Sequence, residues 1–202
     1  MSFREERAAE RKMNIIKVAA RLFSEKGYHD ATLEDIAKNL KYTKGSIYYY
    51  INSKQELLFQ CHELAMDMLI NRMEEILATD WPLEVKLKEG IKAHIEMVVG
   101  EMSLVTVALG QEFELQEDYR QIIVGKRDQY ERYFRRLIDE GIEKGLFRPL
   151  PSKMALFIIM GAVNWIPRWY SEKGRMSKEE IAEFFADYLV RPLFQAPARK
   201  EP

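Results

Sequence analysis

The chain has 202 residues, of which 47% are hydrophobic and 31% charged. This composition is typical of one globular domain, or of two small ones, with enough apolar side chain to bury a core. Cys61 is the single cysteine, which excludes an intramolecular disulfide framework and a multi-cysteine zinc site and favours a reducing compartment.

The formal net charge is -1, but the charges are unevenly distributed. Residues 1–60 carry 11 Lys and Arg against 8 Asp and Glu, whereas the other 142 residues carry 20 against 24. A basic first third followed by an acidic remainder indicates that an anionic polymer contacts only the first third. The longest apolar run, residues 154–163, is half of the roughly 20 residues that a bilayer requires, so we expect no membrane partner. The N-terminus does not resemble a signal peptide, and we expect a cytoplasmic protein.

Apolar residues recur with helical spacing along almost the whole chain, which predicts an all-α fold of about nine helices. Ile15, Ala19 and Phe23 mark one face of a first helix, which we expect to end at Gly27. Two short helices are predicted at residues 33–40 and 43–50, the first of them capped by Thr32.

The later helices are predicted from their capping residues. Ser53 with Glu56 resembles a capping box that opens a long fourth helix, and Ser177 with Glu180 resembles another that opens the ninth. A helix that begins at Ser152 is expected to continue to Gly174, with a proline inside it that kinks the axis.

Residues 33–50 have the pattern of a helix-turn-helix, in which the second short helix reads DNA. That helix crowds hydroxyl groups and a cation into two turns, and Ile47 is its single aliphatic anchor. Three consecutive tyrosines are unusual on a core-facing helix, because every buried hydroxyl must find a partner. A plain helical hairpin with a tyrosine-rich surface is the simpler alternative that periodicity alone leaves open.

The ordered motif decides between these interpretations. Its fixed residues, spaced between Leu22 and Leu57, are Leu22-Phe23, Gly27-Tyr28, Thr32, Ile36-Ala37, Gly45-Ser46-Ile47-Tyr48-Tyr49-Tyr50, Ser53-Lys54 and Leu57. This string resembles the N-terminal domain of the TetR family of bacterial transcriptional regulators, over about residues 15–58. The resemblance implies a DNA-binding domain at residues 1–53 and a ligand-binding and dimerisation domain at residues 54–202.

The resemblance also implies which residues meet double-stranded DNA at a palindromic operator. Their expected roles are phosphate contacts and, at the start of the recognition helix, contacts with base edges. They are Thr32, Thr43, Lys44, Gly45, Ser46, Tyr48, Tyr49 and Lys54. The chain departs from the family pattern at Lys41, where a glycine usually forms a left-handed turn, and this puts the turn angle in question.

The C-terminal part is expected to form a homodimer, because an operator with two-fold symmetry calls for two heads. The last two helices are the most apolar candidates for a four-helix interface with a second copy. The predicted interface residues are Phe184, Phe185, Tyr188 and Leu189, and packing within one chain is the alternative for each.

The stretch 161–170 is the most unusual in the C-terminal part, because it places an amide and a guanidinium in an apolar helix. Gly161, Asn164 and Arg168 share a face at i, i+3 and i+7, and Trp165 lies on the adjacent one. Such polar groups need partners, either an anionic or amide-bearing ligand or, for Arg168, a glutamate in the dimer interface.

The same stretch resembles the TetR branch that responds to acyl-CoA thioesters, so the small-molecule effector is expected to be an acyl-CoA. A multidrug-sensing repressor of an efflux pump is the alternative, and a helical enzyme or scaffold a remote one. The predicted ligand-binding residues, each of which could also be simple core, are Leu109, Phe113, Ile123, Tyr130, Phe134, Phe157, Met160, Gly161, Asn164, Trp165 and Arg168.

No sequence pattern indicates catalysis or a bound cofactor. His29, His62 and His94 lie in separate segments without the spacing of metal ligands. There is no nucleophile elbow, and the glycines are too dispersed for a phosphate-binding loop. We therefore expect neither an enzyme nor a metal or cofactor site.

Overall fold

The computed structural model describes residues 3–194, and over those residues it contains nine α-helices and no β-sheet, as predicted. Short 3-10 turns follow α6, α8 and α9. The helices are α1 Phe3–Lys26, α2 Leu33–Leu40, α3 Lys44–Tyr48, α4 Lys54–Leu77, α5 Leu83–Gly100, α6 Met102–Gly110, α7 Glu117–Glu143, α8 Ser152–Asn164 and α9 Lys178–Val190.

The chain divides into two compact units. The first contains the residues up to Asp67 together with Glu101–Lys126, and the second contains Met68–Gly100 together with the residues from Arg127 onward. These units are defined by how compactly the residues pack, not by function. The predicted functional boundary after residue 53 therefore stays a prediction.

The core of the first unit is built where α1, α2, α3 and α6 pack together. Ile15, Ala19 and Phe23 of α1 are fully buried, which confirms the predicted face of that helix. Ile36 of α2 and Ile47 of α3 are also fully buried, so one apolar side chain anchors each short helix.

In the second unit, α5 packs against both α8 and α9. Leu87, Ile91 and Ile95 recur at i, i+4 and i+8 and are fully buried, which gives α5 a continuous apolar stripe. A buried stripe that meets two helices makes α5 the centre of this unit.

Local capping signals fix most helix ends. Gly27 and Gly145 have positive φ values of 82° and 69°, as left-handed residues after a helix do. Ser177 and Glu180 form the predicted capping box of α9. At α4 the prediction was partly wrong. Ser53 accepts a hydrogen bond from the backbone N–H of Glu56 at 3.0 Å, but the Glu56 carboxylate accepts from the N–H of Asn52 at 2.8 Å.

The predicted continuous helix from Ser152 to Gly174 is wrong. Helix α8 ends at Asn164, and Pro167 lies in a separate 3-10 turn, Ile166–Arg168. The proline nitrogen has no hydrogen to donate, and its ring clashes with the preceding turn, so the α-helix stops short of it. Arg168 consequently lies outside the helix that contains Asn164. Its side chain is exposed, and its guanidinium lies 5.8 Å from the ring centroid of Trp165.

Among the described residues, no single helix is both long and apolar enough to cross a bilayer. The bent pair Leu83–Gly100 and Met102–Gly110 reaches the required length and composition only when its two helices are taken together.

Gly141, near the end of α7, allows close contact with a buried ring. A Cβ at this position would overlap the ring of Phe147, which is fully buried and packs edge-on against Phe194 at 5.3 Å. The backbone N–H of Phe147 also donates to the Gly141 carbonyl at 3.0 Å, so the ring has little freedom to move away. The end of α7 therefore requires a residue without a side chain.

We predict that Gly141→Ala lowers the free energy of unfolding by about 1–3 kcal/mol, the usual cost of overpacking a core. Gly125→Ala in the same helix is the matched control. A Cβ at Gly125 would meet no atom within 4 Å outside its own stretch of helix, and alanine should stabilise the helix there by about 0.5–1 kcal/mol. Urea denaturation of both variants measures the difference, and equal stabilities would contradict the packing account.

Candidate functional site

Helix α2 begins with a reciprocal cap. The Thr32 side chain accepts from the backbone N–H of Asp35 at 3.1 Å, and the Thr32 N–H donates to the Asp35 carboxylate at 3.2 Å. This backbone donor, with the ammonium of Lys26, holds the pKa of Asp35 below its usual value. Thr32 is exposed, so its position at the helix start is compatible with the predicted phosphate contact.

The turn between α2 and α3 is formed by Lys41, which has φ 56° and ψ 36°. Its backbone N–H donates to carbonyls at the end of α2, and the N–H of Tyr42 donates to the Ala37 carbonyl at 2.9 Å. Among the described residues, Lys41 is the one non-glycine residue with positive φ. The left-handed turn is thus retained, and lysine adopts the conformation that glycine adopts more easily.

Helix α3 has only five residues and is held at both sides. Thr43 caps it by accepting from the backbone N–H of Ser46 at 3.2 Å, and the two hydroxyl oxygens lie 2.8 Å apart. Ile47 is fully buried and is the aliphatic anchor that the sequence predicted. The cap and the anchor fix which face of α3 is directed outward.

That outward face carries the predicted DNA-contacting side chains. Tyr48 is 45% exposed and Tyr49 is 78% exposed, whereas Tyr50 is half-buried and packs edge-on against Tyr49 at 5.0 Å. Thr43, Lys44, Gly45 and Ser46 are also accessible at this surface. The structure therefore brings the predicted α3 residues to one accessible surface.

Two cations of this region already have partners in the free chain. Lys44 forms an ion pair with Glu34 of α2, and the hydrogen bond to that carboxylate raises the pKa of Lys44. Lys54 donates to the carbonyl of His29 at 3.0 Å and lies 4.4 Å from the ring centroid of Tyr28. Partial burial lowers the pKa of Lys54. If Lys54 contacts a phosphate as predicted, the same ammonium also links the start of α4 to the α1–α2 loop through its contacts with His29 and Tyr28.

The second unit contains a cavity of about 260 Å³ between α4, α5 and α7. Its wall is mainly apolar and rich in methionine, which adapts readily to varied shapes. Arg72 and Glu96 are exposed residues of the wall. The lining residues are Met68, Leu69, Arg72, Met73, Gly90, Ala93, His94, Glu96, Met97 and Tyr130.

A buried polar cluster forms one wall of this cavity. His94 Nδ1 lies 3.0 Å from the Tyr130 hydroxyl, and Nε2 lies 2.9 Å from Oδ1 of Asn164. Because an amide oxygen only accepts, Nε2 carries the proton, and Nδ1 accepts from the tyrosine hydroxyl.

The cluster is uncharged at neutral pH. Burial lowers the pKa of His94 to about 4 and raises the pKa of Tyr130 far above its usual value. The cavity therefore offers hydroxyl and imidazole dipoles and no buried ionic group in this cluster, an arrangement suited to a neutral polar ligand group.

The predicted ligand-binding residues are only partly brought together. Tyr130 lines the cavity, Asn164 reaches it through His94, and Phe134 packs edge-on against Tyr130 at 5.2 Å. The other predicted positions of the second unit, half-buried or exposed and not in the cavity wall, are Phe157, Met160, Gly161, Trp165 and Arg168. Three predicted positions belong to the first unit, where Ile123 is buried and Leu109 and Phe113 are exposed.

His94 is a residue of the cavity wall that the sequence analysis did not include among the ligand-binding candidates, because it was considered only as a metal ligand. A signal was present: His94 lies on the apolar stripe of α5, between Ile91 and Ile95. A histidine on a buried stripe requires hydrogen-bond partners, which marks it as part of a polar cluster.

The single chain leaves two of the four predicted dimer residues exposed. Phe184 and Tyr188 are 57% and 68% exposed, and their rings stack with centroids 5.8 Å apart. Phe185 and Leu189, on the same helix, are half-buried. Helix α8 and the residue after it also leave large apolar side chains exposed, and they are Met154, Phe157, Ile158 and Trp165. Exposed aromatic residues in such number mark an interaction surface.

Comparison with known proteins finds two matching family models. Residues 15–61 match the model of bacterial regulatory proteins of the tetR family, and residues 80–193 match that of the tetracyclin repressor-like C-terminal domain. The second match alone covers more than half of the chain.

Curated relatives and a solved structure agree with these models. The chain is 25% identical over 195 residues to the HTH-type transcriptional repressor KstR2 of Mycolicibacterium smegmatis, covering 95% of each chain. It is 29% identical over 184 residues to the fatty acid metabolism regulator protein of Bacillus subtilis, covering 88% of this chain and 93% of that one. The structure of AibR in complex with isovaleryl coenzyme A and operator DNA is 26% identical, with a TM-score of 0.81, and the match covers 91% of this chain and 100% of AibR.

The buried His94 predicts a specific pH dependence of stability. Its pKa is about 4 in the folded chain and about 6.5 when unfolded, so between these values the unfolded chain binds a proton that the folded chain does not. The burial of His94 therefore leaves the free energy of unfolding unchanged above pH 6.5. As the pH falls from 6.5 toward 4, it lowers that free energy progressively. From pH 7 to pH 5, we expect the free energy of unfolding to fall by about 2 kcal/mol more in the wild type than in His94→Gln.

Chemical denaturation at the two pH values measures this difference. Other titrating groups are common to both proteins and cancel in the comparison. Equal losses of stability in the two proteins would show that His94 is not held neutral in the fold.

Proposed function

Because this chain belongs to the TetR family of bacterial transcriptional regulators, we propose that it is a homodimeric repressor that an acyl-CoA thioester releases from a palindromic operator. The regulator binds DNA through α3 in this proposal, and the effector binds in the cavity beside His94. The observation that carries the effector assignment is the neutral His94–Tyr130–Asn164 cluster at the wall of an apolar cavity.

The DNA-binding part of the proposal rests on the exposed face of α3. Its hydroxyl and ammonium groups suit hydrogen bonds to phosphates and base edges in the major groove, and Gly45 allows the backbone to approach closely. The excess of positive charge in residues 1–60 favours association with an anionic duplex.

The dimer is supported by the large apolar side chains that α8 and α9 each leave exposed. Two helices from each copy would form a four-helix bundle that buries the stacked rings of Phe184 and Tyr188. A two-fold dimer presents two copies of α3 to two half-sites, which matches the symmetry of a palindrome.

An acyl thioester fits the cavity in its chemistry. The acyl chain is apolar, as is most of the wall, and the neutral carbonyl oxygen is an acceptor that the Tyr130 hydroxyl can reach by turning from His94. A cavity of about 260 Å³ is below the usual range of about 300–1,000 Å³ for drug-sized ligands. We therefore place only the acyl end of the effector in it.

The names of the relatives support the same effector class. One is a regulator of fatty acid metabolism, and AibR was solved with isovaleryl coenzyme A and operator DNA together. Release requires that the effector bind more tightly to the conformation with low DNA affinity, since a ligand without such a difference shifts no equilibrium.

The test is an operator-release assay. Fluorescence anisotropy follows binding to a labelled duplex from upstream of the gene while isovaleryl-CoA or octanoyl-CoA is added. We predict that acyl-CoA lowers the DNA affinity by about 5- to 150-fold, the usual range of allosteric coupling. Tyr130→Phe should bind the same DNA but require about tenfold more acyl-CoA, because one hydrogen bond to the carbonyl is lost.

Tyr133→Phe is the matched control, because its hydroxyl donates to Glu74 at 2.5 Å and does not line the cavity. It should respond to acyl-CoA as the wild type does. Failure of the wild type to bind the duplex would overturn the regulator proposal for this operator. Release by cationic drugs and not by acyl-CoA would favour the multidrug sensor instead.

A further inference from the structure

The first turns of α1 extend beyond the core of the first unit. Side chains of residues 3–14 are exposed or half-buried, and the first buried residue of the helix is Ile15. An isolated helix of this length is marginal in water and gains no core burial here. These turns continue the helix that Ile15 anchors in the core, and their side chains are accessible to a partner outside the chain.

Charges along this segment are sorted by face. Arg4, Arg7 and Arg11 recur at i, i+3 and i+7, which places them on one stripe of the helix. The glutamates of the segment, Glu5, Glu6 and Glu10, occupy other positions around the axis. The stripe is thus cationic although the segment as a whole is mixed in charge.

The arginine stripe and the recognition helix share one cleft of about 700 Å³. All three arginines line it, together with residues of α3 and its flanks. From that side, the lining residues are Thr43, Gly45, Ser46, Tyr49 and Tyr50. The stripe is therefore continuous with the surface that the proposed function assigns to DNA.

The three guanidinium groups are available for an external anion. Within residues 3–194, none of them takes part in an ion pair, whereas the nearby Lys44 and Lys17 are paired with Glu34 and Glu101. The Arg7 guanidinium lies 4.4 Å from the ring centroid of Phe3, a contact that orients it without neutralising its charge. Guanidinium groups that are exposed and lack a carboxylate partner suit the bidentate binding of phosphate oxygens.

We propose that Arg4, Arg7 and Arg11 form a second DNA contact, which clamps the phosphates beside the groove that α3 reads. This inference rests on the proposed function, because it takes the operator duplex as the common partner. Phosphate contacts of this kind position the protein and add affinity without sequence preference. Two elements of the chain would then contact the duplex. Helix α3 would read the base sequence, and the start of α1 would bind the phosphate backbone.

The test is the salt dependence of DNA binding by the triple variant R4A/R7A/R11A. Each lost phosphate contact should reduce the slope of log affinity against log salt concentration by about 0.9, so the slope should fall by up to about 3 per chain. The reduction should be the same on the upstream duplex and on a duplex of unrelated sequence. Alanine favours helix at these exposed sites, and circular dichroism verifies that the fold is kept.

The control R132A/R135A/R136A removes the same number of arginines from the surface of α7 and should leave the slope unchanged. The variant R4K/R7K/R11K should keep most of the wild-type slope, because lysine also binds phosphates. A wild-type slope in R4A/R7A/R11A, or an equal reduction in the α7 control, would overturn the clamp. If the wild type binds neither duplex at any salt concentration, the proposed function fails instead.

Discussion

The burial of Ile47 is the constraint on which the DNA-binding face depends. A helix of five residues is not stable by itself, because the conformational entropy lost in forming its first turn exceeds the stabilisation from its few hydrogen bonds. The fully buried Ile47 and the Thr43 cap supply what the helix lacks. Once that one side chain points inward, the periodicity of the helix directs Tyr48, Tyr49 and Ser46 outward.

The polar cluster of the second unit imposes a comparable constraint on ligand chemistry. Burying His94 is tolerated because both ring nitrogens have partners and the ring is neutral. A neutral polar cluster binds a carbonyl more readily than a carboxylate, which would need a buried cation beside it. The same physical requirement thus sets both the stability of the cluster and the ligand class that we propose.

Features encoded by neighbouring residues were predictable from the sequence. The α2 cap at Thr32, the helix end at Gly27 and the α9 capping box depend on residues within a few positions of each other. The left-handed turn at Lys41 is also a local feature. Its position in the motif indicated a turn, and the chain forms that turn although the residue is a lysine.

The cavity was not predictable in the same way. Its polar wall joins His94 to Tyr130 and to Asn164, which lie 36 and 70 positions further along the chain and meet it only through helix packing. Helical spacing placed Arg168 with Asn164, but that spacing applies only while the helix continues, and α8 ends before Pro167.

The most direct test of the central claim is amide hydrogen exchange of the full chain with and without the upstream duplex. If α3 is presented to DNA, deuterium uptake in peptides covering residues 43–50 should slow when the duplex binds. Bound duplex with unchanged uptake across those residues would contradict the account.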